Sequence, residues 1–117
     1  MKESVSECPL EGAFILLSGR WRNLILYCLT DGPKRFNALQ RANPGLSQQM
    51  LSRDLKDLEA AGVVSRSVTP TVPPQVEYAL TDAGKRLIPI LKELGDWWED
   101  TRTLADPTLP ASVSLPG

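Results

Sequence analysis

Apolar residues at Met50, Leu51, Leu55 and Leu58 recur at spacings of one, four and three, so their side chains share one stripe of a helix. Gln48, Gln49, Ser52, Arg53 and Lys56 fall outside that stripe. Ser47 is placed to cap the N-terminus through its hydroxyl, and Gly62 can take the left-handed conformation that ends a helix. The pattern predicts a helix of about four turns over residues 47–61. An ordinary solvated helix surface is rich in Glu and Lys, but the first two turns here carry amides, hydroxyls and one guanidinium. Such groups pair with base edges and phosphates in a major groove; Asp54 intrudes among them, and Asp57 and Glu59 come late. Taken alone, Gln48 and Gln49 read equally well as the solvated start of a helix.

Helical spacing also runs from Pro9, a residue suited to a first helical position, through Leu10, Ala13, Phe14 and Leu17, with Gly19 as the expected stop. Trp21 to Leu29 reads as a second helix with Leu24, Ile25 and Cys28 inward, ended by Asp31-Gly32-Pro33. Lys34-Arg35-Phe36 leads into a short helix, Asn37 to Ala42, and Asn43-Pro44-Gly45 supplies a tight turn before the long helix. Two helices joined by such a turn, the second capped and rich in amides, form the pattern of a helix-turn-helix. After Gly62 the period changes to alternation: Val64, Arg66 and Val68 predict one strand, and Val76, Tyr78 and Leu80 another. Three prolines in TPTVPPQ keep the connection irregular, so the hairpin is a stiff wing. Thr81 caps a last helix running to about Thr103 through Pro89.

The last helix carries Leu87, Leu91, Leu94 and Trp98 on one stripe, widened by Ile90 and Trp97. That band is broader than one small domain needs to cover, and the first helix is also unusually apolar. Packing on the chain's own domain is one reading. A two-fold dimer interface from Leu10, Phe14, Leu17, Leu87, Leu91, Leu94, Trp97 and Trp98 is the favoured one. The expected fold class is α+β, mainly α: a winged helix-turn-helix with extra N- and C-terminal helices forming a dimer interface. Residues 1–7 are expected to be a flexible N-terminus, 8–103 the folded domain, and 104–117 a disordered tail low in charge and rich in Pro and Ser.

A net charge of −1 conceals an asymmetry. Residues 20–56 carry seven basic side chains against two acids, whereas residues 93–106 carry five acids against Arg102. A polyanion is drawn to the first segment and repelled by the second. Two cysteines and no histidine cannot furnish the four Cys/His ligands of a structural zinc site. With no histidine, no Gly-rich phosphate loop and no framed carboxylate pair, acid/base catalysis lacks its usual residues, so an enzyme is not expected. Neither a metal nor a cofactor is expected. No apolar run reaches the roughly 20 residues of a membrane span, and the polar, acidic start does not read as a secretion signal, so a cytoplasmic protein is expected.

CPLEGAFILLSGRW, then LILYCLTDGPKRFNALQRANPGLSQQMLSRDLKDLEAAGVVSR, then VPPQVEYALTDAGKRLIPIL resembles the HxlR-type winged-helix transcriptional regulators over roughly Cys8 to Trp98. The ordered set Cys-Pro, Gly-Arg-Trp, Gly-Pro-Lys-Arg-Phe, Leu-Ser-Gln-x-Met-Leu and Val-Pro-Pro-x-Val-Glu-Tyr-x-Leu-Thr is specific as a set. The resemblance implies a homodimer on an inverted-repeat operator in double-stranded DNA, with helix 47–61 in the major groove and wing 69–75 near the backbone or minor groove. It implies a DNA face of Ser47, Gln48, Gln49, Ser52, Arg53 and Lys56, with Lys34 and Arg35 near phosphates. Arg66 reads as either a phosphate contact or a partner of Glu77 across the hairpin. Many members have a basic residue where this chain has Gln49 and the wing residue Gln75, which implies a salt slope shallower by about two. Several members sense oxidants through a cysteine at the position of Cys8; the positive end of a helix favours the anionic form of such a thiol, while Glu7 and Glu11 oppose it, and a structural thiol at the dimer interface is the other reading of Cys8. Cys28 reads as a small core residue. The effector is not legible, and a winged-helix protein-interaction module is the alternative function.

Overall fold

The computed structural model describes residues 8–105, with side chains through Arg102. The first helix, α1 (Pro9–Leu16), is followed by α2 (Arg20–Cys28) and a 3-10 turn over Leu29–Asp31. Next come β1 (Lys34–Arg35), α3 (Phe36–Ala42) and α4 (Gln48–Ala60). The wing hairpin, β2 (Val64–Thr69) and β3 (Gln75–Leu80), leads into the long helix α5 (Asp82–Ala105). This is the expected mainly helical winged helix-turn-helix.

Local chemistry explains most boundaries. Ser47 accepts the Met50 amide at 3.1 Å, capping α4, and Gly62 ends it at φ +84°. Thr81 accepts the Gly84 amide at 3.1 Å and donates its hydroxyl proton to the Gly62 carbonyl at 2.6 Å, so one side chain caps α5 and ties it to the end of α4. Two helix ends differ from expectation by more than one residue. α1 ends at Leu16, because the Ser18 hydroxyl donates to the Ile15 carbonyl at 2.8 Å and closes the last turn; Gly19, at φ +85°, starts α2 instead. α5 continues through Pro89 to Ala105, since Leu104 and Ala105 are good helix formers and the disfavoured position comes before Pro107. The expected flexible segment 1–7 and the tail from residue 106 lie outside the described residues.

The core gathers Ile25 and Leu26 of α2, Leu39 of α3, Leu51, Leu55 and Leu58 of α4, and Leu80 at the end of β3. The inward side of α2 is therefore centred on Ile25 and Leu26, both 0% exposed, while Leu24 and Cys28 are half-buried. α2 packs against α3, α4 and α5 at once, which buries a wider arc than one stripe. The unanticipated strand β1 pairs antiparallel with β3, giving the order β1-β3-β2. Two residues are too short to show alternation, and β1 exists only because β3 supplies its partner backbone.

Candidate nucleic-acid interface

The turn between α3 and α4 is closed by the Leu46 amide on the Asn43 carbonyl at 2.9 Å. Asn43 is buried and donates its side-chain amide to the Leu39 carbonyl at 2.8 Å, so the turn is held to the last part of α3. Gly45 has no positive φ; a Cβ there would lie 3.1 Å from the Trp21 ring, so its smallness lets the turn sit against α2. Arg20 in turn covers that ring at 5.1 Å from the centroid.

With the turn held in this way, α4 buries Leu51, Asp54, Leu55 and Leu58 and presents its other side outward. Gln48, Gln49, Ser52, Arg53 and Lys56 line one shallow concavity with Phe36 at its wall. Five of the residues expected at the DNA face are thus brought together. Ser47 lies at the start of the same helix; its oxygen caps, and its hydroxyl proton is left to donate. Asp54 does not intrude on this surface. It faces α2, where Arg22 donates to it at 3.2 Å and also to Asp57. An acid among Leu51, Leu55 and Leu58 is a sequence signal that a cation must come from elsewhere, but not which one.

Lys34 and Arg35 are placed by β1 beside the hairpin, in register with Tyr78 and Glu77. Arg35 donates to the side-chain oxygen of Gln75, so the wing glutamine orients a guanidinium instead of standing alone. Arg66 is in register with Tyr78, and Glu77 with Ser67, which puts Arg66 and Glu77 on opposite faces of the hairpin. The alternative pairing of Arg66 with Glu77 is not formed, and Arg66 is exposed. At the wing tip Thr71 donates to the Pro73 carbonyl at 2.7 Å, while Val72 is wholly exposed.

A second surface is apolar. α1 buries none of its residues, leaving Leu10, Phe14 and Ile15 exposed, and α5 exposes Ile90, Leu94 and Trp97 at helical spacing. Leu17, Leu87 and Leu91 are half-buried against the chain's own core, and Trp98 is half-buried, so the expected interface set divides in two. Cys8 is exposed at the N-cap of α1, and Cys28 is half-buried 3.8 Å from the Asn43 amide nitrogen. Among the described residues no helix is long and apolar enough to cross a membrane, and no His/Cys/Asp/Glu group is arranged to hold a metal.

Residues 16–105 match the family described as HxlR-like helix-turn-helix. The uncharacterised HTH-type transcriptional regulator YybR of Bacillus subtilis (strain 168) is 40% identical over 99 residues, covering 85% of this chain and 79% of that protein. The reduced form of the transcriptional regulator YodB from B. subtilis superposes with a TM-score of 0.75 at 40% identity, covering 87% of this chain and 98% of that one. The redox regulator HypR in its oxidized form gives a TM-score of 0.71 at 42% identity, covering 80% and 96%. The chain belongs to the HxlR-like helix-turn-helix family of winged-helix transcriptional regulators.

Proposed function

We propose that two copies of the chain bind an inverted repeat in double-stranded DNA, each inserting α4 in the major groove with the wing beside the backbone or minor groove. The observation that carries this reading is the sorting of charge on α4. Two of its three acids, Asp54 and Asp57, are drawn to Arg22, and the third, Glu59, lies in the last turn, while Gln48, Gln49, Ser52, Arg53 and Lys56 share one outward concavity. Lys34, Arg35 and Arg66 supply phosphate contacts, and Gln75 orients Arg35 toward them. The exposed faces of α1 and α5 supply the two-fold contact, which sets the half-sites about one helical turn apart or a multiple of it. Selection of bound duplexes from a randomised pool tests the reading. Wild type enriches an inverted repeat, and Arg53→Ala loses about 1 to 3 kcal/mol with relaxed preference at one position. A loss uniform across sequences makes Arg53 a phosphate contact, and no enrichment by wild type favours a protein-interaction module.

Cys8 is proposed as a redox-responsive thiol. Its exposure at the N-cap of α1, a helix with no buried residue, supports this, as does the similarity to a protein named as a redox regulator. A quinone or peroxide is expected to weaken duplex binding dose by dose in the wild type and to leave Cys8→Ser unaffected. Full modification of Cys8 with binding unchanged would exclude the role.

A further inference from the structure

Arg22 stands in the first turn of α2 with its side chain 16% exposed. Its Nε donates to Asp54 Oδ1 at 3.2 Å, its Nη2 to Asp57 Oδ2, and its Nη1 to the Leu16 carbonyl at 3.0 Å. All three nitrogens are engaged, in the fixed planar fork that a lysine ammonium on its flexible stem does not reproduce. The acceptors belong to two other elements. Asp54 and Asp57 lie one turn apart on α4, and Leu16 is the last residue of α1. Asp54 is buried among Leu51, Leu55 and Leu58, where a carboxylate without a partner is strongly unfavourable. No residue of α1 is fully buried, and its end is held by the part-buried packing of Leu16 and Leu17 on the core together with this bond to the Leu16 carbonyl.

We infer that Arg22 is a positioning residue that sets how α4 presents Gln48, Gln49, Ser52 and Arg53, and that ties this orientation to the placement of α1. Each of its three nitrogens is bonded within the chain, and the side chain is 16% exposed, so it acts through α4 and not by touching DNA. This rests on the proposed base reading by α4.

The test uses the full chain as wild type, Arg22→Gln, Arg22→Lys and Asp57→Asn. Each is titrated with the selected duplex and with a scrambled duplex of equal length at several salt concentrations. Arg22→Gln is expected to bind the selected duplex about tenfold more weakly, with the scrambled duplex and the salt slope little changed. Removing a phosphate contact would instead weaken both duplexes and lower the slope by about one. Arg22→Lys keeps the charge without the fork and should recover little selectivity. Asp57→Asn keeps the other two bonds and should fall between wild type and Arg22→Gln. Amide exchange over residues 9–17 should be faster in Arg22→Gln than in wild type. Melting curves establish which variants are folded at the assay temperature; if Arg22→Gln is not, Asp57→Asn decides, because it leaves the buried pair intact. Wild-type selectivity in Arg22→Lys, or in the deciding variant, overturns the inference, and unchanged exchange in a folded Arg22→Gln overturns the tie to α1. A wild type that does not distinguish the two duplexes removes base reading by α4, and this inference with it.

Discussion

Gly84→Ala melts at least about 10 °C below the wild type, a loss of about 3 kcal/mol or more, followed by circular dichroism at fixed protein concentration. Gly84 is buried in the first turn of α5, where a Cβ would come 2.1 Å from the Val63 carbonyl oxygen and 3.1 Å from a Leu80 methyl. That carbonyl cannot readily retreat, because it accepts the Thr81 amide at 3.1 Å in the same junction. The added methyl must therefore push the start of α5 off the sheet and break the Thr81 cap with it. Gly95 offers the control within the same helix: nothing lies within 4 Å of its Cβ position. Gly95→Ala should stabilise by about 0.5 to 1 kcal/mol through helix propensity alone. Similar melting of the two variants would show that α5 does not sit against Val63 as described.

Trp97→Asp yields a monomer by sedimentation and lowers affinity for the inverted repeat by a factor of about 10² to 10⁴, the gain normally provided by linking two binding units. Trp97 is 58% exposed and lies with Ile90 and Leu94 on the outward side of α5, so its replacement leaves the chain's own core intact. In the proposed two-fold contact each substitution occurs twice, which places two new carboxylates on a face flanked by Glu93, Asp96 and Asp100. Lys92, paired with Asp96 at 3.6 Å, offsets only part of that negative charge. A folded variant that remains dimeric would move the interface off α5, and a monomer with undiminished affinity would mean that single subunits bind.

The elements that could be read in advance are those whose causes are local. Ser47, Gly62 and Thr81 act on amides or turns within a few residues of themselves, and the helical and alternating periods are properties of contiguous chain. The polar face of α4 was legible for the same reason, since spacing alone puts Gln48, Gln49, Ser52, Arg53 and Lys56 outside the apolar stripe. The apolar excess of α1 and α5 was also visible, but which members cover the chain's own core was not: Leu87 and Leu91 pack inward, while Leu94 and Trp97 stay out.

By itself, then, the sequence determined the order of helices and strands, the helix-turn-helix, the wing, and the acid-poor side of α4, because periodicity and capping act over a few residues. Tertiary structure alone decided the rest. β1 needs a partner strand more than forty residues away, Gly45 and Gly84 are small because Trp21 and Val63 approach from other elements, and Gln75 meets Arg35 only once the sheet forms. Arg22 and Asp54 are both charges counted toward an apparent basic surface, yet folding pairs them 32 residues apart. Spacing along a chain states which face a side chain occupies; what meets that face depends on how distant segments pack.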